Sequence, residues 1–139
     1  MNHYLNKLQN AKNKHVYGFL MDINEFKAIN DTYGHLTGDH ALIQFSKILQ
    51  HSIDKDSVAI RMGGDEFVIF AKIQSDTEAV KLKKRIENNV RQFNIHSKEP
   101  FHLSFSIGIA KYNGKNIDTF LSAMDDSMYE AKNMHRLMQ

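Results

Sequence analysis

Apolar and polar positions change their period along the chain, and these changes divide it into alternating helices and strands. Residues 16–21 form an almost unbroken apolar run, which is typical of a strand buried on both faces. Two short apolar runs lie on either side of Gly63 and Gly64. Because glycine readily adopts the positive φ values of a tight turn, this pattern predicts a β-hairpin.

The rest of the pattern predicts one domain over residues 1–139, composed of helices and strands. The predicted elements are, in chain order, a helix at 5–13, a strand at 16–21, a short helix at 25–32, a helix at 39–51, hairpin strands at 57–61 and 66–72, a helix at 77–93, a strand at 102–110 and a final helix at 118–134. Helices that alternate with strands around one hairpin predict an α/β sandwich, with a mixed central sheet flanked by helices.

Composition narrows the class of protein. A chain of 139 residues with 42% hydrophobic content is large enough for one buried core. The absence of cysteine excludes disulfides, thiolate zinc sites and cysteine nucleophiles, and it fits a reducing cytoplasm. No apolar run approaches the length of a membrane span. The net charge is only +2, and the basic residues within 81–85 follow a helical pattern without interleaved aromatics, which favours a solvated helix face over a nucleic-acid site.

Candidate chemistry begins at the tip of the predicted hairpin, where Asp65 and Glu66 follow the two glycines. Carboxylates offer hard oxygen ligands, and Mg²⁺ is usually held by one or two of them together with phosphates and water. The glycines have no Cβ, so a ligand could approach the main chain closely. The pattern therefore predicts a phosphate and metal site, with a plain solvated acidic turn as the alternative.

A third carboxylate, Asp22, ends the predicted central strand and so lies next to the apolar core. A buried carboxylate is costly unless it is hydrogen-bonded, paired or bound to a metal. The alternative is that Asp22 caps a helix beginning at Asn24. If the second hairpin strand pairs beside this strand, Asp22 converges with Asp65 and Glu66, and the three carboxylates would repel one another without cations.

Short motifs in a fixed order extend from Asp22 to the hairpin. They comprise the aspartate that closes the strand, then Phe-Lys, Ile-Asn-Asp, Gly-His, Gly-Asp and finally Arg-x-Gly-Gly-Asp-Glu-Phe at 61–67. In this order the chain resembles the GGDEF domain, the nucleotidyl cyclase domain of bacterial diguanylate cyclases. Residues 106–110 and 125–136 resemble the late strand and the closing helix of the same family, so the similarity covers nearly the whole chain. The resemblance implies a ferredoxin-like core, as in the palm of polymerases and in adenylyl cyclases.

The resemblance implies a metal site and a set of catalytic residues. Asp22, the backbone carbonyl of Ile23 and Asp65 would hold Mg²⁺, or alternatively Mn²⁺, with two ions expected for each GTP. Glu66 would either hold the second ion or help to deprotonate the attacking hydroxyl. Asp65, Glu66 and Lys27 are therefore the expected catalytic residues.

The resemblance also implies which side chains contact the nucleotide. Asn30 and Asp39 would recognise the guanine edge, since a carboxylate accepts from N–H donors that adenine lacks. His35 would lie near the base or the ribose, with a simple turn residue as the alternative. The other residues expected to contact the substrate are Phe26, Gly63 and Gly64, together with three basic side chains for the triphosphate, Lys27, Lys132 and Arg136.

By resemblance, the activity is the condensation of two GTP into cyclic di-GMP with release of two pyrophosphates. Each domain would bind one GTP, and two copies would face each other about a two-fold axis as a weak or transient homodimer. The setting would be signalling in the bacterial cytoplasm, with an upstream sensor domain in a longer protein as an option. The alternative is a non-catalytic GTP-binding regulatory module of a larger signalling protein. A cyclase with relaxed base choice is a third reading, which Asp39 argues against.

Three departures from the family pattern modify these expectations. The chain starts at about where the family's first segment would end, so the domain is expected to lack that segment. The product-inhibition motif Arg-x-x-Asp would align with Asp54 and Ser57, which predicts no feedback site there. Asn24 stands where many relatives have a second aspartate. It keeps an oxygen ligand and loses a charge, which is expected to matter little because the metal role falls on Asp22.

Overall fold

The computed structural model describes residues 2–11 and 15–138 of the chain. Its elements are, in chain order, α1 (Asn2–Ala11), β1 (Val16–Ile23), α2 (Phe26–Tyr33), α3 (His35–Ser52), β2 (Val58–Gly63), β3 (Glu66–Lys72), α4 (Asp76–His96), β4 (Phe105–Lys111) and α5 (Ile117–Leu137). Every predicted element has a counterpart, although α3 begins at residue 35 rather than 39 and β4 at 105 rather than 102. Residues 12 and 13, the end of the predicted first helix, lie outside the described residues.

The four strands form one sheet in the order β2-β3-β1-β4, and each pairing between them is antiparallel. The α/β prediction is confirmed, but the expectation of a mixed sheet is wrong for the described residues. Helical crossovers join β1 to β2 and β3 to β4, and each links two strands that run in the same direction with a third strand between them. No parallel neighbours arise, because the intervening strand separates them. This split arrangement is the ferredoxin-like core that the resemblance implied.

The sheet is covered on both faces, because successive side chains of a strand point to opposite sides. β1 is buried along its whole length, as its apolar run predicted. Phe19 packs into a core with α3 and α4, where the rings of Phe45 and Phe67 meet edge to face at 5.1 Å. Leu20 packs into a second core with α1 and α5, near Phe120. Each such buried side chain stabilises the fold by about 1.5–3 kcal/mol relative to its exposure.

The backbone of helix α5 packs directly against the backbone of strand β4. At Gly108 on β4, a Cβ atom would lie only 2.3 Å from the backbone nitrogen of Met128, so no larger residue fits unless the helix moves. The backbone N–H of Ile109 donates a hydrogen bond to the Ser127 hydroxyl at 2.9 Å, which fixes the helix to the same strand. The following turns of α5 are therefore held in a set position beside the end of β1.

The outer surface of α4 has the solvated face that its sequence predicted. Lys81 and Lys84 are exposed, whereas Leu82 between them is buried in the core. Arg85 donates a hydrogen bond to the backbone carbonyl of Ser52 at 2.8 Å, which joins α4 to the end of α3. Among the helices formed by residues 2–11 and 15–138, none combines the length and the apolar character needed to cross a membrane.

Candidate active site

Strand pairing brings the three predicted carboxylates to one end of the sheet. Asp22 lies opposite Glu66 in the antiparallel register of β1 and β3. The backbone N–H of Ile23 donates to the backbone carbonyl of Asp65 at 3.3 Å, so the hairpin turn is joined directly to the end of β1. The predicted convergence of the three acidic residues is confirmed.

The turn that carries Asp65 depends on its two glycines. Gly63 and Gly64 have φ values of 149° and 54°, a range that residues with a side chain rarely adopt. Arg61 closes the turn, because its Nε and Nη2 atoms donate to the backbone carbonyl of Gly64 at 3.0 and 2.7 Å. Sequence reasoning included Arg61 in the motif without a role, and in the structure it holds the turn.

Asp22 is buried with its charge only partly compensated. Its Oδ2 atom forms an ion pair with the Nζ atom of Lys132 on α5, whereas its Oδ1 atom is buried and has no hydrogen-bond partner among the described residues. Burial raises the pKa of Asp22 above its ordinary value; the ion pair with Lys132 opposes this rise, and the charge of Asp65 adds to it. An unsatisfied buried oxygen in a native fold calls for an explanation, such as a catalytic role or a bound water or ion.

The alternative role for Asp22, as the cap of a helix, is wrong. Helix α2 begins at Phe26, and no side chain caps its first turn by a hydrogen bond. The preceding residue, Glu25, has a left-handed backbone with φ 58°, and its carbonyl accepts from the N–H groups of Ala28 and Ile29 at 3.0 and 3.2 Å. The backbone therefore shapes the start of α2, and the Asp22 side chain is left to the end of the sheet.

Asp22, Asp65 and Glu66 form an acidic set at the end of the sheet, and Lys132 is a cation beside it. Its side chain is 37% exposed. The hydrogen-bonded ion pair with Asp22 raises the pKa of the Lys132 ammonium, burial lowers it, and the charges of Glu66 and Asp65 raise it further. All three carboxylates thus act on one lysine from a distant part of the sequence. Sequence reasoning expected Lys132 to contact a triphosphate and did not predict this pairing.

A cleft of about 320 Å³ opens beside the acidic set. It is lined by Asp22, Ile23, Asn24, Glu25, Phe26, Lys27, Asp65, Lys132, His135 and Arg136. Carboxylates and all three expected triphosphate contacts therefore share one space, although Glu25 and His135 were not predicted. Three other predicted residues, Glu66, Gly63 and Gly64, are exposed and do not line the cleft.

The predicted guanine contacts lie on the helix pair α2 and α3. His35 and Asp39 are exposed on α3, and Asn30 is half-buried on α2. The Asn30 side chain lies against the backbone of Gly38, where a Cβ atom would be 1.7 Å from Asn30 Oδ1. Asn30 is therefore brought next to the residue that precedes Asp39. None of the three predicted residues lines the cleft that holds the carboxylates.

Asn24 was expected to keep an oxygen ligand at the strand end, but its side chain is engaged elsewhere. Its Oδ1 atom accepts a hydrogen bond from the Ser106 hydroxyl at 2.7 Å, and its Nδ2 atom donates to the Ser104 hydroxyl at 3.0 Å. Its backbone N–H also donates to the Ser104 carbonyl at 2.8 Å. Asn24 thus ties the loop after β1 to the segment entering β4. No local pattern in the sequence could have revealed partners so far along the chain.

The donors at the strand end fit a divalent cation that brings ligands of its own. Within the described ranges, no three Asp, Glu or His side chains are grouped so that they could hold a metal ion by themselves. Mg²⁺, however, is commonly held by one or two protein carboxylates, with phosphate oxygens and water in the rest of its shell. Asp22 and Asp65 supply such a pair at the cleft, and no described residue is a hydrogen-bond partner of Asp22 Oδ1.

Known sequences resemble the chain over nearly its whole length. A family model described as "Diguanylate cyclase, GGDEF domain" matches residues 1–137. The diguanylate cyclase DosC of Escherichia coli is 33% identical over 120 residues, which cover 84% of this chain and 26% of DosC. The diguanylate cyclase DgcZ of the same organism is 33% identical over 132 residues, which cover 94% of this chain and 45% of DgcZ. The chain therefore spans less than half the length of either relative.

Solved structures share the fold. The GGDEF domain of YfiN from Pseudomonas aeruginosa matches 95% of this chain and 86% of its own, with a TM-score of 0.83 and 27% identity. The GGDEF domain of DgcB from Caulobacter crescentus, solved in complex with c-di-GMP, matches 95% of this chain and 82% of its own, with a TM-score of 0.82; at 21% identity it shows the fold alone. Because the family model matches almost every residue, the chain belongs to the GGDEF family of diguanylate cyclase domains.

Proposed function

We propose that this domain condenses two GTP molecules into cyclic di-GMP and releases two pyrophosphates. The observation that carries the proposal is the buried carboxylate of Asp22 in a cleft that also contains Lys27, Lys132 and Arg136. One oxygen of this carboxylate has no hydrogen-bond partner in the part of the chain that the structure describes. Such a cleft offers anionic ligands for a cation and cationic ligands for a triphosphate in one place. The relatives named as diguanylate cyclases support the same activity.

The residues divide into two groups with different tasks. Asp22, the Ile23 carbonyl and Asp65 would hold Mg²⁺ or Mn²⁺, and Glu66 would hold a second ion or accept the proton of the attacking hydroxyl. Bound divalent cations supply Lewis acidity at the phosphoryl oxygens and neutralise charge on the leaving group. Lys27 would bind the triphosphate as a point charge and, on this proposal, is catalytic because it stabilises charge as the phosphoryl group is transferred.

The reaction balances as two identical transfers. In each, the 3′-hydroxyl oxygen of one GTP forms a bond to the α-phosphorus of the other, and the bond from that phosphorus to the bridging oxygen of the pyrophosphate breaks. The hydroxyl proton leaves to a base, for which Glu66 is the candidate. One domain binds one GTP, so two copies must face each other about a two-fold axis. The rate should therefore rise more steeply than linearly with protein concentration.

Guanine recognition is assigned to the helix pair outside the carboxylate cleft. The exposed carboxylate of Asp39 would accept from the N1 and N2 donors of guanine, and the Asn30 amide would pair with a ring acceptor. His35 would lie close to the base or ribose, with Phe26 at the start of α2. Gly63 and Gly64 would let the substrate approach the hairpin backbone.

The wider setting belongs to the same proposal. The named relatives are bacterial and longer than this chain, which supports a bacterial cytoplasmic domain controlled by a sensor elsewhere in a longer protein. The second candidate function is a GTP-binding regulatory module without turnover. It is favoured by the lack of any group of three acidic or histidine side chains suited to a metal within the described residues.

Product analysis by mass spectrometry tests the proposal. The protein is incubated with equal GTP and ATP and with Mg²⁺, over a series of rising protein concentrations. Cyclic di-GMP that appears with a steeper than linear dependence supports a dimeric cyclase selective for guanine. GTP binding without any cyclic dinucleotide at the highest concentration supports the regulatory module instead.

Two variants with one control assign the chemistry. Asp65→Ala and Glu66→Ala should each abolish product formation, whereas Glu87→Ala removes an exposed carboxylate of α4 and should leave it unchanged. Circular dichroism confirms that each variant is folded. Product formation that persists in Asp65→Ala would remove the metal assignment.

A further inference from the structure

The acidic set at the strand end carries its own counter-charge. Asp22 is 5% exposed, and Asp65 and Glu66 lie beside it through the hairpin register. Three carboxylates so close together need positive charge nearby. Lys132 supplies it directly to Asp22, and Asp65 and Glu66 also act on its ammonium. The fold therefore forms this site with a lysine of the chain where a cation is expected during turnover.

The compensation is incomplete in contacts. Lys27, His135 and Arg136 line the same cleft, but Lys132 is the cation that forms an ion pair with Asp22. It pairs with Oδ2 of Asp22 and leaves the buried Oδ1 atom without a hydrogen-bond partner among the described residues. A divalent cation with its own oxygen ligands would balance the set better than Lys132 does.

The backbone of Lys132 is held in place, whereas its side chain lies in an open cleft. Its helix is held against β4 at Gly108 and Met128, one turn before Lys132. The side chain is more than one-third exposed, and it lines the cleft together with Lys27 and Arg136. The long, flexible stem of a lysine allows the ammonium to move by several ångströms without any backbone change.

We infer that Lys132 is an exchangeable counter-ion, which occupies Asp22 in the nucleotide-free domain and moves to the triphosphate when the nucleotide binds, so that Asp22 becomes available to the divalent cation. This inference rests on the proposed function of the cleft. It predicts that free metal binds weakly, because the metal must first displace the Lys132 ammonium from its ion pair with Asp22. Metal and triphosphate then favour each other's binding through a single side chain.

Binding of Mn²⁺ to the nucleotide-free protein tests the exchange without any turnover. The concentration of free Mn²⁺ is followed by electron paramagnetic resonance for the wild type, Lys132→Met and Lys27→Met. Lys132→Met should bind Mn²⁺ at least about tenfold more tightly than the wild type. Lys27→Met removes the same charge from the same cleft but leaves the ion pair between Lys132 and Asp22 in place, so its affinity should change by less than about threefold.

A double variant assigns the effect to Asp22. Adding Asp22→Asn to Lys132→Met should return Mn²⁺ affinity to the wild-type level or below. An affinity in folded Lys132→Met that equals or falls below that of the wild type would overturn the inference. Should Lys132→Met fail to fold, Lys132→Gln keeps hydrogen-bond donors without the charge, and the same comparison applies to it.

Binding of metal-free tripolyphosphate in the presence of a chelator provides the reverse test. Asp22→Asn releases Lys132, whereas Asp65→Asn removes an equal charge without breaking the ion pair. The first variant should bind tripolyphosphate several-fold more tightly than the second, and equal affinities would contradict the exchange. Neither readout involves cyclic di-GMP. Failure of the proposed cyclase activity and failure of the exchange are therefore separate results.

Discussion

The two ends of β1 each carry a buried polar side chain, but they differ in how completely that side chain is hydrogen-bonded. At its N-terminal end, the hydroxyl of Tyr17, a residue only 3% exposed, donates a 2.5 Å hydrogen bond to Asp76 at the start of α4. At its C-terminal end, Asp22 is similarly buried, but among the described residues only one of its carboxylate oxygens has a partner, Lys132. Burial is alike at both ends, so the difference lies in what the neighbouring helix supplies.

On the proposed function, this difference separates a structural contact from one that a ligand completes. A phenol enters the core without a charge, and one acceptor on α4 satisfies its donor. The Asp22 carboxylate is buried with a negative charge, and it has more acceptor sites than Lys132 on α5 can satisfy. The satisfied end stabilises the fold by about 1 kcal/mol for its hydrogen bond, whereas an unsatisfied buried oxygen costs a comparable amount or more. A fold retains such a cost where a ligand later removes it.

The largest expected effect is that of Asp22→Asn on catalysis. Cyclase activity should fall by at least about a thousandfold, because a metal contribution of several kcal/mol is lost. Thermal unfolding should nevertheless occur about 2–5 °C higher at neutral pH, since a buried charge is removed. Burial raises the pKa of Asp22, so its carboxyl favours folding below the ordinary pKa of 3.8 and loses that contribution as pH rises through the raised pKa.

The stability advantage of the Asn variant should therefore grow between about pH 4 and pH 7. Asp76→Asn is the matched control, because an amide oxygen can still accept from Tyr17 at the other end of β1. It should leave activity intact. A lower unfolding temperature for Asp22→Asn than for the wild type at pH 7 would show that the buried Asp22 carboxylate does not destabilise the fold, which contradicts the proposed difference between the two ends.

The next effect is that of Gly108→Ala on stability. The added methyl group would meet backbone atoms of Met128 and Met124 at 2.3 and 2.7 Å, which no rotamer change can relieve. We expect a loss of about 1–3 kcal/mol in the free energy of unfolding, measured by chemical denaturation. Activity should fall as well, because the helix that carries Lys132 must shift. Ser122→Ala, on the exposed surface of α5, should change stability by less than about 0.5 kcal/mol and provides the control.

A smaller effect is expected at the satisfied end of β1. Tyr17→Phe removes one hydrogen bond to an exposed carboxylate, so it should cost about 1 kcal/mol in unfolding free energy and leave cyclase activity unchanged. Burial, followed by the hydrogen bond and charge of Asp76, raises the pKa of Tyr17 to about 12. The unfolded pKa is near 10, so the stabilising contribution is complete below about pH 10 and is lost as pH rises through the folded pKa.

Denaturant unfolding between about pH 9 and pH 12 checks that sign. The extra unfolding free energy of the wild type over Tyr17→Phe should disappear across this window. Only the wild type has a phenol at position 17, and this phenol ionises at a lower pH in the unfolded chain than in the folded one. A constant difference between the two proteins would show that Tyr17 does not titrate with folding.

The smallest effect concerns the helix pair, where no buried side-chain nitrogen or oxygen is left without a hydrogen bond among the described residues. Gly38→Ala would displace the Asn30 amide, whose Oδ1 atom lies 1.7 Å from the new Cβ position. Because a flexible side chain gives way, we expect little loss of stability but a rise of about threefold to tenfold in KM for GTP with kcat nearly unchanged. In Asn30→Ala the same glycine substitution should have no further effect on KM.

Sequence reasoning succeeded where the signals were local. Asp22 follows an apolar run directly, and the paired glycines define the turn that carries Asp65 and Glu66. Strand order is not a local property, so the mixed sheet was predicted wrongly although the strands themselves were found. The early start of α3 was missed because Gly38 argues against a helix there, whereas in the structure the Asn30 side chain packs against that glycine.

The contacts that complete the site could not be predicted, because they join distant parts of the chain. The pairing of Lys132 with Asp22 depends on how closely α5 approaches Gly108, and periodicity does not encode that distance. The bonds from Asn24 to Ser104 and Ser106 likewise require β4 to lie beside β1. Sequence patterns thus indicated the candidate residues, and tertiary packing decided which of them touch.

The position of β1 in the sheet has a consequence for how the site fails under stress. β1 is hydrogen-bonded on both sides, so its amide protons should exchange with solvent only when the whole domain opens. The hairpin turn, in contrast, connects to β2, which in the sheet formed by residues 15–138 has a neighbour on one side only. Asp22 and Asp65 therefore belong to regions with different opening free energies. Mild heat or denaturant should release the turn first, so catalysis would be lost while most of the fold remains intact.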